Sequence, residues 1–243
     1  MEVTVDSLEA SLSNSLQTAV APAIDSLLAF TSSTFEQVDH IPDFGNTLRL
    51  LYKEDTNMVK RYVAEIKPVN EDVIGTAVSG KAELVEENDT LKIKIEATGT
   101  PPNMMHWSHF HGFTDNRKGR VPTKDADTNG DGVIDLPELY AVSGQTMVPF
   151  DDAPHNMHIP HDNYPHADEN GNWNYEFEVP IIELKEKFKE KFGSEDLQLD
   201  KRTVLIHGVP ESLELPDTVE GTVKDYGPHT TLPIGAGEIE AIN

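Results

Sequence analysis

The chain has 243 residues, 37% of them hydrophobic and 26% charged, enough to bury a real core in one large domain or one domain with an appended segment. Asp and Glu number 43 against 19 Lys and Arg, and the formal net charge of -24 makes nucleic acid and anionic membrane surfaces poor partners while favouring cation binding or a salty extracellular setting. There is no cysteine, so disulfides and thiolate metal sites are excluded and any transition metal must be held by histidine and carboxylate.

In chain order, Leu8, Leu12, Leu16, Val20, Ile24, Leu27 and Leu28 recur at three- and four-residue spacing, which predicts an amphipathic helix that Pro22 kinks or splits. Residues 39–47, with Pro42 and Gly45, read as a loop. No run of about 18 apolar residues predicts a membrane span, and no basic residue precedes Arg49 to form a signal peptide. The expected setting is a mature extracellular, periplasmic or cell-surface chain, with the cytoplasm left open.

From about Tyr62 the period changes to two. Val73 to Val85 and Leu91 to Ala97 flank Glu87, Asn88 and Asp89 as a β-hairpin with one buried and one solvated face. After a break at Pro101 and Pro102, a strand is expected from Met104 to Phe113. It places His109 and His111 on one face and His106 at the opposite parity. An H-x-H pair of this kind can hold two coordination positions of one metal ion.

Asp127 to Glu138 reads as a twelve-residue calcium loop of the EF-hand type. Side-chain oxygens occupy positions 1, 3, 5, 9 and 12 as Asp127, Asn129, Asp131, Asp135 and Glu138, Val133 offers its carbonyl at position 7, and Gly132 stands at the sharp turn. Ile134 at position 8 pins the loop to a neighbour. An exit helix is expected to start near Leu139, whereas Lys118 to Lys124 makes a poor entering helix. The loop is read as a structural clip.

His155, His158, His161, His166 and Asp168 follow on a stretch too rich in Pro and Asn for regular structure, and loops are where functional groups are presented. Trp173 to Val179 alternates as a half-buried strand. Ile182, Leu184, Phe188 and Phe192 predict a short surface helix ended by Gly193. Thr203 to His207 is an apolar strand, and Thr218 to Ile242 supplies further strand and turn. A dinuclear site is one reading of these histidines: copper takes three or four imidazoles from His109, His111, His207 and one loop histidine, and zinc takes the remaining loop histidines with Asp168.

Taken together, His109 to Phe113, the His155 segment, His166 with Asp168, Val204 to His207, and Leu232 to Ile239 resemble, in the same chain order, the successive signatures of copper/zinc superoxide dismutases. The likeness runs from about Val73 to Ile242, with the calcium loop as an insertion. The earlier hairpin with the later H-x-H is also similar to the related chordin-type bacterial domains. The resemblance implies a mainly β protein, a Greek-key β-sandwich or barrel spanning 61–243 behind an N-terminal helical extension at 1–60. It implies copper on His109, His111 and His207, with His155 the bridge to zinc, and zinc on His158 or His161, His166 and Asp168. Which of His155, His158 and His161 takes which place is open.

Copper, zinc and calcium are thus the expected cofactors, superoxide the expected substrate, and a homodimer is left open. The implied reaction is dismutation by alternating reduction and reoxidation of copper, with the bridging histidine delivering a proton. Two departures stand against the family pattern: there is no cysteine for its disulfide, and Thr231 occupies the place of its anion-guiding arginine, with His229 nearby. The alternative is a calcium-stabilised copper/zinc-binding sandwich without catalysis, serving metal sequestration or cell-surface adhesion.

Overall fold

The computed structural model describes residues 59–242. The helix expected between Leu8 and Leu28 and the loop at 39–47 lie outside the described residues. What is described is mainly β: nine antiparallel strands form a curled half-barrel, in the order β5-β4-β7-β8-β1-β2-β3-β6, with β9 beside β1.

β1 (Lys60–Pro68) joins the two halves of the sheet. It pairs with β2 (Ser79–Glu87) from Lys60 to Ile66, and its last residues, Lys67 and Pro68, pair with β8 (Pro233–Glu238). β9 (Glu240–Ile242) lies along its opening residues. The predicted hairpin is β2 with β3 (Thr90–Thr98), closed at Glu87 and Thr90 around Asn88, which takes the left-handed φ of 54° that asparagine tolerates in tight hairpin turns. Its first strand starts at Ser79, later than Val73, because residues Glu71–Ile74 wind into one helical turn, α1, capped by Gly75.

β3 then pairs with β6 (Trp173–Pro180), so the chain leaves this half for β4 (Ser108–Gly112) and β5 (Gln145–Pro149) before returning. β4 is shorter than the expected Met104 to Phe113: Pro101, Pro102 and the left-handed Asn103 hold the preceding segment out of the ladder. β7 (Thr203–His207) pairs on one side with β4 and on the other with β8. Of the helices, α2 (Leu136–Ser143) begins within the acidic loop, earlier than the expected Leu139, because Asp135 caps it, and α3 (Ile181–Phe192) follows β6, ending at Gly193 as expected. α4 (Pro228–Thr231) is a single turn before β8. Among the described residues no helix is long and apolar enough to cross a membrane.

Alternation along the strands sorts two cores. Leu84, Leu91, Ile93, Ile95, Trp173, Phe110, Phe150, Val204 and Ile206 pack inside the curl. Leu205 and Ala236, of opposite parity, join Ile134, Leu136 and Leu139 in a second cluster on the outer face. The acidic loop is therefore pinned by Ile134 and Leu136 onto the back of β7 and β8. Every residue of β4 and of β7 is buried because both faces of these strands are covered.

Candidate metal centre

His109 and His111 project to the same outer face of β4, and the β4–β7 register brings His207, at the end of β7, alongside them. The ring centroids lie 5.8 Å apart for His109 and His111, and 5.4 Å for each of them with His207. One ring nitrogen from each residue lies within 4.8 Å of the others. Among the described residues this is the one place where three potential metal-binding side chains converge.

Hydrogen bonds fix which nitrogens face inward. The Nδ1–H of His207 donates to the carbonyl of Thr231 at 2.8 Å, leaving the Nε2 lone pair free. The Nδ1–H of His111 donates to the carbonyl of Gly144 at 3.1 Å, which frees its Nε2 beside the Thr146 hydroxyl at 3.3 Å. At His109 the pattern is reversed. Tyr164 gives its O–H to the carbonyl of Ile159, so its oxygen accepts the Nε2–H of His109 at 3.0 Å and Nδ1 is the free atom. His109 Nδ1 and His207 Nε2 are buried and have no hydrogen-bond partner in the protein. Orphaned buried nitrogens of this kind call for a ligand, and two of them, on rings that each bring a nitrogen within 4.8 Å of the others, fit a metal held by imidazole.

The electrostatics agree. Burial first, and then repulsion among the three rings, pushes the pKa of His111 down to about 3 and that of His109 well below its usual value. Burial also brings His207 down to about 4 against the opposing pull of its Thr231 bond. All three are therefore neutral near pH 7, the protonation state a metal needs.

A cleft of about 210 Å³ opens onto His109 and His207 between Trp107, Leu136, Tyr140, Ile159 and Val223. Lys191, from the last turn of α3, is the one cationic side chain among the residues lining it. Its ammonium donates to the carbonyl of Met157 at 3.3 Å, and burial lowers its pKa. Thr231, where the resemblance expects arginine, instead gives its carbonyl to His207 and its hydroxyl to the Gly221 carbonyl.

The loop histidines are not gathered into a second group of this kind. The Nε2–H of His161 donates to Asp151 at 2.7 Å, its Nδ1 accepts from the Asn163 amide, and its ring stacks on Tyr164 at 4.7 Å. His161 thus backs the tyrosine that orients His109. His155 sits 3.8 Å from Glu183 of α3, with its Nδ1 buried and unpartnered. His158 and His166 are exposed. The Asp168 carboxylate accepts from the Asn170 and Asn172 amides and from the Asn172 side chain, all at 2.8 Å, closing a turn. His106, of opposite parity, is buried between the carbonyls of Pro101 and His207.

In the acidic loop the side-chain oxygens are turned onto the loop's own N–H groups. Asp127 accepts from Gly130 and Gly132, Asn129 from Asp131, and Asp131 from Val133. Asp135 caps α2 reciprocally with Glu138. Gly132 takes the left-handed φ of 87° that the sharp turn requires. The loop also reaches the segment between β7 and β8: Thr218 donates to Asp131, and the Glu220 amide to Asp135 at 2.8 Å. Through Gly221 and Thr231 this segment continues to His207.

The sequence marked His109, His111 and His207 for one metal, together with His155, which does not join their group, and gave no sign of Tyr164, Thr146, Trp107 or Lys191. Trp107 and Tyr164 lay inside segments already marked, whereas nothing in the α3 pattern distinguishes Lys191 from its solvated neighbours. No protein-family model matches the chain, and no curated protein matches it significantly.

Proposed function

We propose that this chain is a copper-dependent superoxide dismutase built on a Greek-key β-barrel, with copper held by His109 Nδ1, His111 Nε2 and His207 Nε2. The observation that carries the reading is the pair of orphaned buried nitrogens, His109 Nδ1 and His207 Nε2, converging with His111 at the foot of an open cleft. Imidazole suits both copper and zinc. The order of motifs along the chain, which resembles the copper/zinc superoxide dismutases from the H-x-H strand to Ile239, favours copper. The strand path supports the same reading. β6 returns beside β3 and β7 beside β4, so a seam of β5 against β6 would complete the Greek-key order.

When bound there, copper supplies one-electron oxidation and reduction of superoxide. The chain's own contribution is orientation and selection. Tyr164, Gly144 and Thr231 hold the three rings in the tautomers that present their lone pairs. Trp107, Leu136, Ile159 and Val223 keep the cleft apolar, which strengthens the field of any charge within it. Lys191 places that charge, and an anion entering the cleft of so acidic a protein meets the ammonium on its wall. Calcium in the loop at Asp127 to Glu138 is part of the proposal as a clip on the segment that carries Thr231. Zinc at the loop histidines would require Asp168 and His161 to leave their present partners, so the working site is the triad.

The test is decay of superoxide with the copper-loaded protein and with its His207→Ala variant, each checked for copper content. The wild type is expected to hold one copper and accelerate decay beyond a free-copper control, and the variant to lose both. A wild type that binds copper at the triad without accelerating decay would leave the non-catalytic metal-binding reading in its place.

A further inference from the structure

Trp107 touches the triad without serving it as a ligand or an orienting group. Its ring stands edge-on to His109, with centroids 5.9 Å apart, and its N–H is given to the His161 carbonyl. The ring of Tyr226 lies 4.6 Å from that of Trp107. Trp107 is 2% exposed, whereas Tyr226 is half-buried and donates its phenol O–H to the exposed carboxylate of Asp162 at 2.9 Å. Three rings therefore run in contact from a candidate ligand to the protein surface and end on a proton acceptor. Indole and phenol are among the side chains most readily oxidised by one electron. A phenol gives up that electron easily only when its proton can leave at the same time, and Asp162 is placed to take it.

We propose that Trp107 and Tyr226 form a one-electron relay that drains oxidising equivalents from the triad to the surface and spares its histidines. The proposal rests on the reading of the triad as a copper site that generates peroxide. Reduced copper, if held by the three histidines, would supply one electron to hydrogen peroxide, whose O–O bond would break to hydroxide and hydroxyl radical. The radical takes one electron from Trp107 and becomes a second hydroxide. Tyr226 returns an electron to the indole radical cation and passes its proton to Asp162, leaving a neutral phenoxyl. A one-electron reductant of the ascorbate class restores the phenol at the surface, the proton returning from Asp162.

The experiment uses the copper-loaded full chain, reduced, desalted, mixed with hydrogen peroxide and frozen for electron paramagnetic resonance, with Tyr226→Phe alongside. Phenylalanine keeps the ring that packs on Trp107 and removes only the phenol. The wild type is expected to show a phenoxyl signal that the variant lacks. Peptide mass spectrometry of the variant is expected to show several-fold more oxygen added to His109, His111 and His207. No organic radical in the wild type, a phenoxyl that persists in Tyr226→Phe, or equal histidine oxidation in both proteins would each overturn the relay. The cupric spectrum before reduction keeps the two readings apart. Nitrogen splitting from fewer than three imidazoles sinks the copper site itself, whereas full ligation without a phenoxyl sinks only the relay.

Discussion

Acidifying the metal-free protein puts the buried triad under direct strain. His207 and His111 have pKa values pushed down to about 4 and about 3 in the folded protein, against 6.5 when unfolded. Because the folded values are the lower ones, the unfolded chain binds more protons throughout the interval. Stability from these groups is complete above the unfolded value and is lost as pH falls toward the folded values. Each group costs about 1.4 kcal/mol per pH unit, or about 3 kcal/mol for His207 and about 5 kcal/mol for His111 over their spans. Repulsion from His207 enters the His111 value alone, so the two contributions add, and between the unfolded value and about pH 5 the pair loses about 4 kcal/mol. An ordinary domain has only about 5–15 kcal/mol in total. Urea unfolding of the metal-stripped protein, from about pH 7.5 down to about pH 5 where carboxylates are still mostly ionised, is expected to show a midpoint that holds and then falls steeply below about pH 6.5. Copper should move that fall to lower pH, since a bound metal competes with the protons. A midpoint that stays level across the window, or a double variant His111→Gln with His207→Gln that falls just as steeply, would refute the reasoning.

Three further outcomes follow from the same geometry. Glu138→Ala removes the acceptor of the Thr128, Asn129 and Asp135 amides, so it should destabilise by about 2–4 kcal/mol, and calcium should raise the Tm of the wild type but not of the variant. An unchanged melt, or an equal calcium response in both proteins, would remove the clip. Tyr164→Phe frees the His109 Nε2–H and should weaken copper binding about 10–100-fold in a chelator competition, while the ring packing is kept; an unaltered Kd would mean the tyrosine does not set the tautomer. Lys191→Glu should slow superoxide decay and reverse its dependence on ionic strength, with Lys191→Arg retaining most of the rate. Equal rates in all three proteins would show that the cleft does not select anions through this residue.

Much of the fold was legible because strands declare themselves by a period of two. The Leu91 to Ala97 alternation, the Trp173 to Val179 alternation and the Thr203 to His207 run all became strands, and Gly193 ended its helix where expected. Boundaries were less visible. The late start of β2 comes from a single helical turn at Glu71–Ile74, and the short β4 from a proline-rich lead-in, both local events that periodicity averages over.

The site divides along the same line. His109 and His111 share a face by alternation alone, and that much was determined by the sequence itself. That His207 completes the group depends on the pairing of β4 with β7, two strands whose partnership no local pattern encodes. The loop histidines show the opposite limit. A stretch holding His155, His158, His161, His166 and Asp168 reads as a ligand set, yet irregular backbone carries no period from which the direction of a side chain can be read. Only tertiary packing turned Asp168 into its own turn, gave His161 to Asp151 and brought Lys191 from α3 to the cleft. Residue types and spacing supplied the candidates; burial, which removes water and leaves His109 Nδ1 and His207 Nε2 without a partner, decided which of them could hold a metal.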